Sequence, residues 1–317
     1  MNSTRTSSLT WTDSFGRDWN RFWFTPSDPT LVSLLRIGIG LVALCHLLSF
    51  NSDLVRWFGA EGLLPYTSVR ALSASEVTYR ITYFAGAVTP GQLWALHLLG
   101  LVAALALVAG LATRISAGIT FLAVLSFVHR APMLAGHLEP VLGMLLLYLI
   151  IAPAGWRFSV DSLLLPMLSR GKPSDQSSSS STSALATLSL RLMQVHLSAF
   201  YLMMAMTKLY GDAWWDGYAI WHMLAQTHSR PLDLTRLRQG EYLLNGWSHF
   251  ILFTQLGFPA LVWNHHTRPL ILIASIVAWL SLIPVTGLTT FCLLMVISCG
   301  CFLSPERVAS CFGSSPR

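Results

Sequence analysis

From Leu31 to Phe50 the chain runs for twenty residues with one charged side chain, Arg36. At about 1.5 Å per residue, a helix of that length matches a bilayer core of about 30 Å. In lipid every backbone N–H and C=O must be paired internally, which a run of this kind achieves as a helix. Seven further apolar runs follow, at 92–112, 115–129, 138–153, 184–207, 248–263, 269–286 and 288–303. The expected fold class is therefore all-α: a polytopic helical membrane protein of about eight transmembrane helices plus an interfacial helix.

Composition narrows the function classes. Asp, Glu, Lys and Arg make up 11% of the 317 residues and hydrophobic residues 53%, where a soluble protein carries roughly 25% charged residues. A water-exposed surface this poor in charge would not stay in solution, which excludes a soluble enzyme and a disordered chain. The net charge of +6 comes from isolated loop residues, not a Lys/Arg-rich run, so a nucleic-acid partner is not expected. The partner expected on these grounds is the lipid bilayer. Counted outside the spans, ten Lys and Arg fall on the side of the termini and eight opposite. That bias predicts a multi-pass protein of the cell membrane with cytoplasmic termini.

Residues 1–30 are polar and mixed in charge, residues 31–305 form the expected transmembrane domain, and 306–317 form a short tail. Within the domain, 174–183 (SDQSSSSSTS) reads as a flexible serine linker. No metal site is expected. Cys299 and Cys301 stand near a helix end with too few companions to ligate zinc, and they read as small apolar residues.

The run 184–207 is unusual in its polar content. At about 100° per residue, Arg191, Gln194, Ser198, Tyr201 and Lys208 share roughly 100° of arc, while His196 points roughly 140° away and reads as a helix-contact residue. Such a stripe cannot face lipid cheaply and should face the bundle interior or a wet cavity. Lys208 either snorkels to the interface or, desolvated, acts as a base. Arg36 should recruit a structural ion-pair partner, with Asp161 and Glu139 as candidates. His137, before the run 138–153, reads as a capping residue that could also carry a proton. Trp214, Trp215, Tyr218 and Trp221 suit a helix lying in the membrane interface. Gly38 and Gly40 sit inside the first apolar run, where glycines permit close helix packing.

Gln194, Tyr201, Lys208-Leu209 and Trp215-x-Gly217-Tyr218-Ala219 together resemble the signature of the horizontally transferred transmembrane (HTTM) domain. That family is related to the membrane part of vitamin K-dependent gamma-carboxylase. Other pieces resemble it in order: Phe24-Thr-Pro-Ser-Asp-Pro29 with Leu35-Arg36-Ile-Gly38, Trp57-Phe-Gly-Ala-Glu-Gly62, and Phe158-Ser-Val-Asp161. The resemblance covers residues 20 to 305 in parts. It implies a lipid-soluble quinone-like ligand, with reduced vitamin K or another quinone as cofactor, held near Lys208, Arg191, Gln194, Ser198, Tyr201, Trp215 and Tyr218. It also implies catalytic roles for two residues. Lys208 would be the base that deprotonates the quinol, and His137 a second participant. In the carboxylase, the deprotonated quinol and oxygen yield a strong base that removes a proton from peptide glutamate before carbon dioxide adds. This sequence departs from the family at Phe253–Pro259 and Ala274–Leu282, which lack the acidic residue and histidine that members often carry there. Ligand binding is therefore expected ahead of carboxylation, and a purely structural membrane role is the third expectation.

Overall fold

Nine helices of eleven residues or more make up the frame in a computed structural model that describes residues 11–73, 82–86, 89–163, 182–226 and 231–312. They are α1 (Trp11–Phe24), α2 (Thr30–Leu48), α3 (Pro90–Ala109), α4 (Thr113–Arg130), α5 (Leu138–Ile151), α6 (Ala184–Leu209), α7 (Glu241–Leu261), α8 (Arg268–Thr286) and α9 (Thr289–Cys299). No β-strand occurs among the described residues, so the chain is all-α as expected. Residues 174–181 of the serine linker, 1–10 and 313–317 lie outside the described residues.

Each of the eight apolar runs carries one helix, α2 to α9. Local chemistry sets their ends. Thr89 and Gln92 form a reciprocal capping box at the start of α3 with Pro90 in the first turn, and Gly110 closes α3 in the left-handed conformation at φ 77°. Gly287 closes α8 in the same way. Helix α7 begins at Glu241 instead of near 248, because its polar first turns have partners: Asn245, Ser248 and His249 all hydrogen-bond the 215–217 turn.

Successive helices from α2 to α9 pack each on the next, and the ring closes where α9 packs on α2. The glycines of α2 allow close packing as expected, Gly38 at that closure and Gly40 against α3. A Cβ on Gly38 would lie 2.8 Å from Ile297 of α9, and one on Gly40 would lie 2.9 Å from Val108 of α3.

Among the described residues three helices, α2, α3 and α8, are long and apolar enough to cross a membrane. The outward face of α8 is a continuous apolar stripe: Leu270, Ile273, Val277 and Leu280 are all exposed. In α3, Leu98, Val102 and Leu105 repeat the pattern. Lipid is the solvent that such stripes match. The remaining runs differ in two ways. Helices α5 and α9, of fourteen and eleven residues, are short, whereas α4, α6 and α7 carry more polar side chains. Beyond α9 the chain makes a 3-10 turn and bends by 100° into a short helix, Pro305–Cys311, within the expected tail.

Two further differences concern the interface. The aromatic segment after Lys208 is not one helix. Gly217, at φ 78°, breaks it into Asp212–Trp215 and Ala219–Ala225. Conversely, the polar N-terminal segment contains α1, whose Phe15, Trp19, Phe22 and Trp23 recur at helical spacing, with Phe15 and Trp19 exposed. Its other face carries Arg17, Asp18 and Arg21, the pattern of an amphipathic interfacial helix.

Candidate functional site

The polar stripe of α6 does meet the interior, but its members lie at three depths. Arg191 and Lys208 are seventeen residues apart, or about 25 Å along the axis.

At the N-terminal end, Arg191 donates from Nε to the Phe22 carbonyl of α1 at 3.2 Å and from Nη1 to Gln194 Oε1 at 2.9 Å. Its guanidinium lies over the Phe22 ring at 4.4 Å. Gln194 donates in turn to the Cys301 carbonyl at 2.7 Å. Arg191 and Gln194 line a cavity of about 250 Å³. Ser198 is buried and donates back to the Gln194 carbonyl at 2.9 Å, an intrahelical bond that satisfies its hydroxyl.

At mid-depth, Tyr201 is a core residue. Its ring stacks on Phe258 at 3.8 Å, its oxygen accepts from Trp279 Nε1 at 2.7 Å, and Cys299 Sγ lies 3.7 Å away. Cys301 contacts the Met193 sulfur at 3.8 Å. Both cysteines are buried, in keeping with small apolar residues.

At the C-terminal end, half-buried Lys208 has its ammonium 3.5 Å from the Met204 carbonyl, at the limit of hydrogen bonding, and 5.0 Å from the Trp214 ring centroid. Among the described residues no carboxylate lies within 4.0 Å of it. The aromatic turn beside it is held rigidly. Trp215 Nε1 donates to the Leu209 carbonyl at 2.8 Å, and Ser248 donates to the Gly217 carbonyl at 2.8 Å. Tyr218 donates to Glu241 Oε1 at 2.8 Å, and that carboxylate pushes the phenol above its ordinary pKa. The Trp215 and Tyr218 side chains are exposed. Of the expected ligand residues, Trp215 is tied to the Lys208 end through the Leu209 carbonyl, while Tyr218, three residues on, is bonded to Glu241 of α7. Arg191 and Gln194 lie at the far end, and Tyr201 is enclosed between.

His137 is exposed and occupies the position before α5, yet its side chain makes no capping bond there. Glu139 Oε2 accepts the Gly136 N–H at 2.8 Å, which ties the preceding turn to the start of the helix. The His137 ring instead lies 5.9 Å from Phe291, which also contacts Phe200 of α6. Phe200 is eight residues short of Lys208, about 12 Å along the helix. His196, off the stripe, meets the Tyr148 hydroxyl at 2.9 Å, a helix–helix contact as expected.

Arg36 is fully buried and makes no ion pair within 4.0 Å among the described residues; it donates from Nη2 to the Phe158 carbonyl at 2.5 Å, and Asp161, one of its two expected partners, acts on it by charge from further away. Asp161 uses Oδ1 to accept the Ala112 N–H at 3.0 Å, and Glu139 lies 3.8 Å from His46. Sequence inspection also missed Trp279, Phe258 and Cys299 around Tyr201. The odd polar indole in an apolar run was their only trace.

The fold and site thus define a helical protein with membrane-length apolar helices and a lysine–tryptophan cluster at one end of its longest helix. No family model, curated protein or solved structure matches this chain.

Proposed function

We propose that this chain is a multi-pass cell-membrane protein of the HTTM family, with about eight spans and cytoplasmic termini, that holds a lipid-soluble quinone-like ligand near Lys208. The observation carrying this reading is the state of Lys208. Its ammonium has one long backbone contact and an indole face, but no neutralising carboxylate among the described residues. A half-buried amine in that condition can donate to a ligand carbonyl or phenolate oxygen. Trp214 and Trp215 offer flat aromatic faces for a ring beside it. The meeting of Arg36 and Phe158, which belong to two separated pieces of the HTTM resemblance, adds support.

The enzymatic form of this reading makes Lys208 a base that accepts the hydroxyl proton of a bound quinol, as in the gamma-carboxylase. The absence of a carboxylate beside Lys208 favours it, since no anion there holds the amine in its charged form. The bound quinol would supply the reducing electrons and molecular oxygen would be the oxidant. The chain's own part is to bind the ring, orient it and hold the proton on Lys208 Nζ.

Quinone titration of the protein in nanodiscs, read by tryptophan fluorescence, tests binding. Saturable quenching in the wild type that is lost in Lys208→Ala, with helix content unchanged, supports the ligand site. Identical quenching in both, as lipid partitioning alone would give, rejects it.

A further inference from the structure

The cavity at the opposite end of α6 has a distinct chemistry. Arg21 of α1, Arg191 of α6 and Arg268 of α8 converge on it, against one carboxylate, Glu306. The two inner guanidiniums are held by neutral acceptors. Arg191 uses the Phe22 carbonyl and Gln194, while Arg268 donates to the Val262 carbonyl at 2.9 Å and the Trp263 carbonyl at 3.4 Å. Neither has a carboxylate within 4.0 Å among the described residues, and three guanidiniums against the one carboxylate of Glu306 leave the cavity net positive. At about 250 Å³ the cavity holds several water volumes of about 30 Å³ each.

A second cavity, about 380 Å³, adjoins it and shares Arg268, Phe302, Leu303 and Ser304. Leu272, Val308 and Pro269 make its wall largely apolar. Helix α1, which contributes Arg21 to the first cavity, presents exposed Phe15 and Trp19, the amphipathic pattern that lies at headgroup depth. A cationic pocket open to an apolar groove at the level of an interfacial helix matches an amphiphile with an anionic head.

We propose that the Arg21–Arg191–Arg268 pocket binds the phosphate of an anionic phospholipid headgroup, with an acyl chain along the neighbouring apolar cavity. This inference needs membrane residence but no role for Lys208. Arginine suits phosphate because its planar fork donates in pairs. Anchoring α1 against α6 and α8 through such a lipid would tie the N-terminal segment to the helical ring.

The test reconstitutes the full chain in nanodiscs of phosphatidylcholine with a minority of phosphatidylglycerol, re-extracts it in mild detergent, and quantifies retained lipid by mass spectrometry. The wild type should retain phosphatidylglycerol above its bulk proportion. Enrichment should fall about five-fold for each guanidinium removed, in Arg21→Gln and further in Arg21→Gln/Arg268→Gln. Arg21 is exposed, which keeps its variant informative if replacing Arg268 disturbs folding. Lys208→Ala should keep the full enrichment, so failure of the quinone reading leaves this result standing. Bulk-ratio lipid in the wild type, or undiminished enrichment in both arginine variants, would overturn the proposal. Displacement of the lipid by millimolar inorganic phosphate would overturn its lipid source and assign the pocket to a soluble phosphate.

Discussion

Arg36 of α2 donates to the carbonyl of Phe158, 122 residues away, at 2.5 Å. Phe158 stands at φ 50°, in the left-handed region, and its turn continues into Asp161, which bonds both sides of the α3–α4 corner through Gly110 and Ala112. One buried guanidinium thus locks the start of the helical ring to two later turns.

Removing that lock should be costly. Arg36→Ala deletes a charge-assisted hydrogen bond and leaves a cavity, so we expect a loss of about 3 kcal/mol. Arg36→Met should lose less, since it fills space and removes two buried donors, Nε and Nη1, that lack partners. Thermal unfolding in detergent of the two variants beside the wild type checks both the size and the order.

Gly110→Ala should be as damaging from the other side. A Cβ there would lie 2.0 Å from Arg36 Nη1, on a residue already at φ 77°. The left-handed penalty of about 1 kcal/mol and the overlap of about 2 kcal/mol add to a loss of about 3 kcal/mol. Combined with Arg36→Ala, the two losses should fall short of additive, because the overlap with the guanidinium is gone while the overlap with Ser159 Cβ at 2.4 Å and the left-handed penalty remain. A double-mutant cycle measures this.

Tyr201 lies on the polar stripe but has its partners inside the core. Tyr201→Phe should therefore cost about 1–3 kcal/mol by orphaning Trp279 Nε1–H, while leaving quinone quenching unchanged in the folded fraction. Loss of ligand binding without loss of stability would return Tyr201 to the ligand site.

Tyr218 predicts an alkaline effect. The Glu241 carboxylate raises its pKa in the folded state above the ordinary value of about 10. The neutral phenol is thus favoured in the fold. Its contribution is full below about pH 10 and disappears as pH rises through the folded pKa. Tyr218→Phe should flatten that part of the stability–pH profile. An unchanged alkaline slope would show that the hydrogen bond contributes nothing.

What the sequence made legible follows from the range of each signal. The eight helices of the ring could be read because burial in lipid or core leaves long apolar runs, and Gly38 and Gly40 because close packing has a residue requirement. The stripe on α6 was legible as a face, but angular position carries no depth. Arg191 and Lys208 share an arc and stand about 25 Å apart, so a single expected site resolves into two ends and a core tyrosine. The partner of Arg36 was hidden because a backbone carbonyl has no sequence signature, whereas the acidic candidates Asp161 and Glu139 did. Helix α1 was visible in principle in the spacing of Phe15, Trp19, Phe22 and Trp23, but its polar residues masked the period.

A quinone-like ligand held at Lys208 should travel with the protein through purification. Purification in lipid nanodiscs, solvent extraction and mass spectrometry would compare wild type, Lys208→Ala and Lys208→Arg. A quinone should be enriched over bulk lipid in the wild type, lost in Lys208→Ala and partly kept in Lys208→Arg. Equal bulk lipid and no enriched quinone in all three would contradict it and leave Lys208 as an interface anchor against Trp214.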